Sequence, residues 1–274
     1  MENNLKVFKS DKFDVVDTAS LSLFLYPHSL FIFAKNQNQA NIAIHLYQNI
    51  KGDDLERILN HDLLLKKDVP LKFFIHQSGF SLVPGVLFHA EKEREYLNFS
   101  QELPANAKFF HSPLDSNNLQ LVSLISEKHK KSLDSRFSEI SLHHGGCSFL
   151  SYLFKERFNL IGQEILVCFC KSHSYIAAFT DQELSLFNIF EIGSKEDVLK
   201  YVLIVMNQLN YDRSHVRVTI FGATPESGIT EEWGKDYFYN FRLLDPHTNQ
   251  NYSQDFKNLI EENIFEIHWQ HDLS

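Results

Sequence analysis

The hydrophobic and polar positions at the start of the chain predict a β-meander followed by a helix. Short runs rich in Phe, Ile and Leu are separated by polar or Pro-containing turns, the spacing of successive antiparallel strands. Asp53 and Glu56 then form an acidic start, and apolar residues at helical spacing predict a helix that ends before Pro70. The predicted strands are Ser22–Tyr26, Leu30–Ala34, Asn41–Tyr47 and, after the helix, Leu71–His76.

The same order of elements recurs about 145 residues further along the chain. Three more strands are followed by a long helix over Lys195–Leu209, which begins at the predicted N-cap Ser194 with Asp197 three residues on. The three strands before this helix are Glu164–Cys170, Tyr175–Phe179 and Leu184–Phe190. The elements after it are strands at Val216–Phe221 and Tyr237–Leu243, and helices at Glu226–Trp233 and Ser253–Glu262.

Between the two repeats, the pattern predicts a helix over Val86–Leu97 and a linker over 103–118, within which Lys108–His111 could be an edge strand. A strand–helix–strand–helix segment follows, at Leu119–Ile125, Ser126–Phe137, Glu139–His143 and Gly145–Phe158. We therefore expect a first lobe at 1–118 and a second lobe at 119–274, with room for the C-terminal helix to pack back on the first lobe.

A three-stranded meander that feeds a helix, a strand and another helix, twice over, predicts a mixed α/β fold with duplicated topology. This plan resembles the actin-like ATPase superfamily of actin, Hsp70 and sugar kinases, whose lobes have ribonuclease H-like topology. The resemblance implies mixed five-stranded sheets flanked by helices. The sequence Phe80–Pro84, followed by Leu87 and Phe88, resembles that of an uncharacterised bacterial family of this fold. The chain more distantly resembles the actin-like proteins of pilus assembly in two places. These are the segment Leu119–Phe158 before the second meander and the motif Glu191-Ile192-Gly193 after it.

Charge and composition narrow the class of partner and the compartment. The chain has 35 acidic and 26 basic residues, for a net charge of −9, which disfavours a nucleic-acid or anionic-membrane binder. The N-terminal residues show no signal-peptide pattern, and no apolar run is long enough for a membrane helix. Three cysteines are too few for a disulfide framework and favour a reducing cytoplasm. We expect a cytoplasmic protein that inserts in no membrane and binds no nucleic acid.

The resemblance also directs attention to two hairpin turns, which in the superfamily carry an Asp and a Gly that hold metal and phosphate. Here the first turn reads Tyr26-Pro27-His28-Ser29, with no carboxylate, no Gly and a Pro that removes a donor. The second reads Lys171-Ser172-His173-Ser174 and again lacks both residue types. The interpretation we favour is two ordinary hairpin turns. In the alternative, the second turn holds a phosphate through Lys171, Ser172, His173 and Ser174.

The superfamily's third nucleotide element, a glycine turn after a strand, would fall here at Gly222 and Thr224. Such turns are common in α/β folds, so nucleotide contact there is again the alternative. His143, His144 and Cys147 lie close together in the sequence, yet they lack the spacing of a structural zinc site. We interpret His144-Gly145-Gly146 as a turn from strand to helix. We predict no catalytic residue and no metal ligand.

These observations favour a catalytically degenerate actin-like protein that acts as an interaction or scaffold module and needs no cofactor. The alternative is a divergent nucleotide-binding protein or ATPase that uses Lys171, Ser172 and the Gly222 turn with ATP and magnesium, although no motif supports that cofactor. A metal-dependent hydrolase built on the histidines is a distant third. We expect a protein partner, and self-association as a homodimer is compatible with the fold class.

Overall fold

The computed structural model describes residues 4–10, 13–51, 54–99, 101–170, 173–222 and 227–244. Contacts within this part of the chain divide it into two compact units, with the division between Cys147 and Ser148. None of the helices in the described ranges is long and apolar enough to span a membrane. The predicted C-terminal helix at Ser253–Glu262 lies outside the described residues.

The first unit contains two sheets and their flanking helices. Its helices are α1 (Asp54–His61), α2 (Glu93–Asn98) and α3 (Glu127–Asp134). Its strands are β1 (Asn4–Lys9), β2 (Ser20–Leu25), β3 (Ser29–Lys35), β4 (Asn41–Gln48), β5 (Leu71–Ile75), β6 (Phe80–Pro84), β7 (Ala107–Leu114), β8 (Leu119–Ser126) and β9 (Ile140–His144).

The larger sheet of this unit has six strands in the order β1-β4-β3-β2-β5-β9. Strands β2, β3 and β4 form the predicted antiparallel meander, and β5 and β9 continue the sheet parallel to β2. The fold class is confirmed, with one more strand than the five expected. Strand β1 was not predicted, and it extends the sheet by pairing antiparallel with β4.

Burial explains why the meander forms. All seven residues of β3 are buried, so this strand has no solvent face, and its five central residues, Leu30–Ala34, form a continuous apolar run. On one side of the sheet, aliphatic residues such as Leu23 and Ile32 pack with Leu55, Ile58 and Leu59 of α1 in a single core. The helix therefore buries the apolar stripe that its sequence predicts.

The smaller sheet is antiparallel, in the order β6-β8-β7, and it corrects two predictions. The stretch 103–118 is not a linker, because it contains all of β7, a strand of eight residues paired with β8. The edge strand considered at Lys108–His111 lies within β7, which is at the edge of this sheet. The predicted helix over Val86–Leu97 is also wrong: only α2 is α-helical, and 3₁₀ turns at Gly85–Leu87 and Ala90–Lys92 precede it. A Cβ on Gly85 would lie 2.0 Å from the Asn117 carbonyl oxygen, a close approach that fixes the chain in the turn.

The second unit is built on one five-stranded sheet and three helices. The strands are β10 (Gln163–Cys170), β11 (His173–Thr180), β12 (Glu183–Glu191), β13 (Arg217–Phe221) and β14 (Asn240–Leu244), and the helices are α4 (Gly146–Glu156), α5 (Lys195–Gln208) and α6 (Glu231–Lys235). The strand order is β12-β11-β10-β13-β14. Helix α5 begins at the predicted capping box, in which Ser194 and Asp197 hydrogen-bond each other's backbone N–H groups.

The two large sheets repeat one topology. The order β4-β3-β2-β5-β9 of the first matches β12-β11-β10-β13-β14 of the second, each an antiparallel meander followed by two parallel strands. Strand β9 is thus the fifth strand of the first repeat. The sequence suggested a division after residue 118, whereas the contacts place it after Cys147, because β8 and β9 pair with strands that precede them in the chain.

A buried ion pair joins the two central parallel strands of the second unit. Glu164 on β10 lies opposite Arg217 on β13, and the guanidinium Nε donates to Glu164 Oε1 over 2.6 Å. The carboxylate also accepts from Thr219 Oγ1 at 3.2 Å and from the Ile161 backbone N–H at 3.2 Å. Only 1% of the Glu164 side chain is exposed, so its charge depends on these donors.

Replacement of Arg217 by Met should therefore destabilise the protein by about 3–5 kcal/mol, since it leaves a buried carboxylate without its counter-charge. The double variant Glu164→Leu/Arg217→Met should recover most of that loss, because neither buried charge is left alone. Urea denaturation of the single and double variants measures both values. A double variant no more stable than Arg217→Met would contradict this account of the pair.

Candidate functional site

The carboxyl ends of the parallel strands β2, β5 and β9 lie side by side in the first unit, where open α/β sheets bind ligands. The turn after β2 is closed on itself. Its Tyr26 N–H donates to the Ser29 carbonyl oxygen over 2.8 Å, and the His28 carbonyl oxygen accepts from the Ile50 N–H at 3.0 Å. Pro27 has no N–H to offer. The turn thus has few backbone donors left for a phosphate.

A ring stack follows directly at the end of β5. The His76 ring lies parallel to the Tyr26 ring, with 4.0 Å between centroids and 10° between planes. The backbone N–H of His76 donates to the Leu25 carbonyl oxygen at 2.8 Å, and the backbone N–H of Gly145 donates to the Ile75 carbonyl oxygen at 2.8 Å. These bonds extend the parallel pairing by one residue beyond each strand.

Gly145 is required by this packing. A Cβ at this position would lie 2.2 Å from Cε1 and Nδ1 of the His76 ring, so no other residue fits unless the ring moves. The segment His144-Gly145-Gly146 is the junction between β9 and α4, which confirms the interpretation of this phrase as a strand-to-helix turn.

His144 is fully buried and held in one tautomer. Its Nε2 donates to the Gln77 carbonyl oxygen over 2.7 Å, and its Nδ1 accepts from the Gly146 N–H at 3.1 Å. Burial lowers the pKa of His144 to about 4, against the opposing effect of the bond to Gln77. Burial, with the charge of Lys72 as the smaller cause, lowers the pKa of His143 to about 4. Both rings are therefore neutral at pH 7.

A cavity of about 400 Å³ opens beside the Tyr26–His76 stack. Most of its wall is apolar. Besides Tyr26 and His76 themselves, its polar residues are Lys51, Gln77, Asn106, Ser126 and His129. No Asp or Glu lines it among the described residues, and no group of three or more metal-binding side chains occurs within the described ranges. The described part of the cavity wall therefore offers no carboxylate to organise a magnesium ion. Its apolar lining includes Leu25, Pro27, Ile50, Leu55, Leu124 and Ile125.

Of the residues predicted at the second turn, Lys171 and Ser172 lie outside the described residues. His173 Nε2 lies 4.0 Å from Glu191 Oε1. Ser174 is fully buried, opposite Phe169 in the sheet, and its hydroxyl has no hydrogen-bond partner in the described part of the chain. The role of these residues as phosphate contacts stays a prediction.

Gly222 follows β13 with a φ of +79°, a left-handed conformation that suits glycine. The residues that follow it in the predicted turn, 223–226, lie outside the described residues. Thr224 lies outside the described residues, and nucleotide contact at this turn stays a prediction.

Sequence reasoning missed the residues that form the cavity in the first unit. Lys51 precedes α1, Asn106 precedes β7, and His129 lies in the first turn of α3. Nothing in the sequence connects these segments, because no motif spans them. His76 carried a weak signal, as a polar residue directly after an apolar strand.

Duplicated sheets of this order define the actin-like ATPase fold. The chain is similar to a Bacteroides thetaiotaomicron protein with an actin-like ATPase fold and unknown function, at 16% identity and a TM-score of 0.75 over 89% of this chain and 96% of that one. It is also similar to a chain of the PilM–PilN type IV pilus biogenesis complex, at 11% identity and a TM-score of 0.55 over 94% and 98% of the two chains. At these identities the likeness shows the fold alone.

The chain belongs to DUF3822, a family of proteins of unknown function, whose model matches residues 10–241. This confirms the resemblance to an uncharacterised family with the actin-like fold. No curated protein matches the sequence.

The lowered pKa values make the stability of this region depend on pH. The pKa of His144 is about 4 in the folded chain, against an ordinary 6.5, so the unfolded chain binds the proton first as pH falls. Stability should be full above pH 6.5 and decline towards pH 4, by on the order of 3 kcal/mol for this residue.

Urea denaturation across this pH range measures the effect, with the slope of stability against pH as the readout. His144→Gln should reduce the slope without abolishing it, because His143 titrates in the same window. The matched control is His89→Gln, an exposed histidine, which should leave the slope unchanged. An unchanged slope in His144→Gln would show that this histidine does not carry the effect.

Proposed function

We propose that this protein is a non-catalytic interaction module of the cytoplasm, built on an actin-like ATPase fold. The proposal rests on the first hairpin turn, in which the Tyr26 backbone N–H donates to the Ser29 carbonyl oxygen and the next residue is Pro27. A turn in this state is a poor cradle for phosphate, since a cradle needs several outward-pointing N–H groups.

The absence of acidic lining in the neighbouring cavity supports the same proposal. A magnesium-bound nucleotide needs carboxylate oxygens to hold the metal or its waters, and the described cavity wall has none. The aromatic ring of Tyr26 stacks on the ring of His76 at this sheet end, so the side chain that follows β2 packs against the protein itself.

A protein partner is the class of ligand that the surface favours. Val86 and Phe99 in the first unit are 92% and 90% exposed, the two most exposed large apolar side chains among the described residues. Such residues often contact partner proteins. The related pilus chain comes from a complex of two different proteins, which supports a similar mode of action here.

The alternative is nucleotide binding at the second unit through Lys171, Ser172 and the Gly222 turn. One observation favours it: Gly222 has the left-handed backbone that a close turn around a ligand would use. We rank it second because such turns also serve purely structural roles.

A thermal-shift titration with Mg-ATP and Mg-ADP tests the choice. We expect no saturable rise in melting temperature beyond that of magnesium alone, because no nucleotide binds the native state. A nucleotide at about 100 times its Kd would stabilise the protein by about 2.7 kcal/mol, well within detection.

The variants Lys171→Ala and Lys66→Ala make the titration specific, since Lys66 is an exposed lysine of the first unit. A magnesium-dependent, saturable rise that Lys171→Ala abolishes and Lys66→Ala retains would overturn the proposal in favour of the alternative.

A further inference from the structure

The cavity in the first unit has a composition that points to a particular ligand chemistry. Its floor is aliphatic, formed by Leu25 and Ile75 at the ends of parallel strands, by Leu55 of α1 and by Ile125 of β8. A cavity of about 400 Å³ is within the usual size range for small-molecule sites. Apolar walls of this kind bind an apolar body.

Two polar residues of the cavity, Lys51 and Asn106, lie on the segments that lead into α1 and β7. Lys51 precedes α1, and its backbone N–H donates to Asp54 Oδ2 over 2.8 Å, which fixes the residue at the helix entrance. The Lys51 ammonium makes no ion pair within the described ranges. The Asn106 backbone carbonyl oxygen accepts from the Glu127 backbone N–H over 2.9 Å, which fixes the residue at the start of β7.

The charge of the lining contrasts with that of the whole protein. The chain carries a net charge of −9, yet the described lining contains one lysine, two histidines and no acidic residue. The positive charge of Lys51 favours a ligand with one negative group. A highly charged ligand such as a nucleoside triphosphate would lose too much hydration against the apolar wall to bind well. The ligand that complements this lining has an apolar chain that ends in a single anionic group.

We infer that this cavity binds a small amphipathic monocarboxylate, such as a straight-chain fatty acid of about eight carbons, with the carboxylate at Lys51 and the alkyl chain on the aliphatic floor. The inference goes beyond the proposed function, because an interaction module needs no small ligand. Its failure would leave the nucleotide titration above unaffected.

Calorimetric titration of the full chain with sodium octanoate, octan-1-ol and octylammonium chloride tests the inference. We expect octanoate to bind saturably, one molecule per chain, and octylammonium to bind at least about tenfold more weakly, since it brings a like charge to Lys51. Equal affinity for octanoate and octylammonium, or no saturable octanoate binding, would overturn the inference.

Two variants and a control locate the site. Lys51→Gln should weaken octanoate binding by about tenfold or more and leave octan-1-ol binding unchanged, because only the carboxylate uses the ammonium. Ala107→Phe, at a small residue of the cavity wall, should abolish binding of both, with circular dichroism to show that the fold is intact. Lys66→Gln should bind octanoate as the natural chain does.

Octanoate binding that is unaffected by both Lys51→Gln and Ala107→Phe would place it elsewhere and overturn the assignment. If Ala107→Phe fails to fold, the Lys51→Gln result still tests the site, because Lys51 is exposed and its replacement leaves the core unchanged. Inorganic phosphate is the last probe: if it displaces octanoate at equal concentration, the cavity is a general anion site and the monocarboxylate assignment is wrong.

Discussion

The close packing of Tyr26, His76 and Gly145 is the constraint on which the first unit depends. These residues follow three parallel strands that are adjacent in the sheet, and backbone hydrogen bonds carry the pairing one residue past the strand ends. The stack of the two rings requires a glycine at the third position. The sheet end that would receive a ligand in this fold class is therefore a packed structural element, with a mostly apolar cavity beside it.

Local patterns predicted the elements and their repetition but not all of their partners. The meanders and the capping box at Ser194 follow from short-range periodicity, which one sequence displays directly. Strand β9 pairs with β5, about 70 residues earlier, and parallel pairing over such a distance leaves no mark in either strand. That is why the boundary between units lies later in the contacts than in the sequence pattern. The helix expected over Val86–Leu97 does not form as one element, because the backbone is extended at Phe88 and His89.

The candidate site divides in the same way. The loss of Asp and Gly from the first turn could be read directly, since both residue types would have to lie within a few positions. The cavity could not be predicted, because Lys51, Asn106 and His129 come from three separate segments that meet only through the two sheets. The buried state of His144 was equally hidden, since the sequence shows two adjacent histidines with nothing to distinguish them.

The central claim is that the actin-like fold is retained here while the first phosphate turn has become structural. Amide NMR spectra of the ¹⁵N-labelled full chain, recorded during titration with Mg-ATP, test this most directly. The account predicts that the resonances of His28 and Gly145 stay in place throughout. Saturable, magnesium-dependent shifts of these two amides would contradict it.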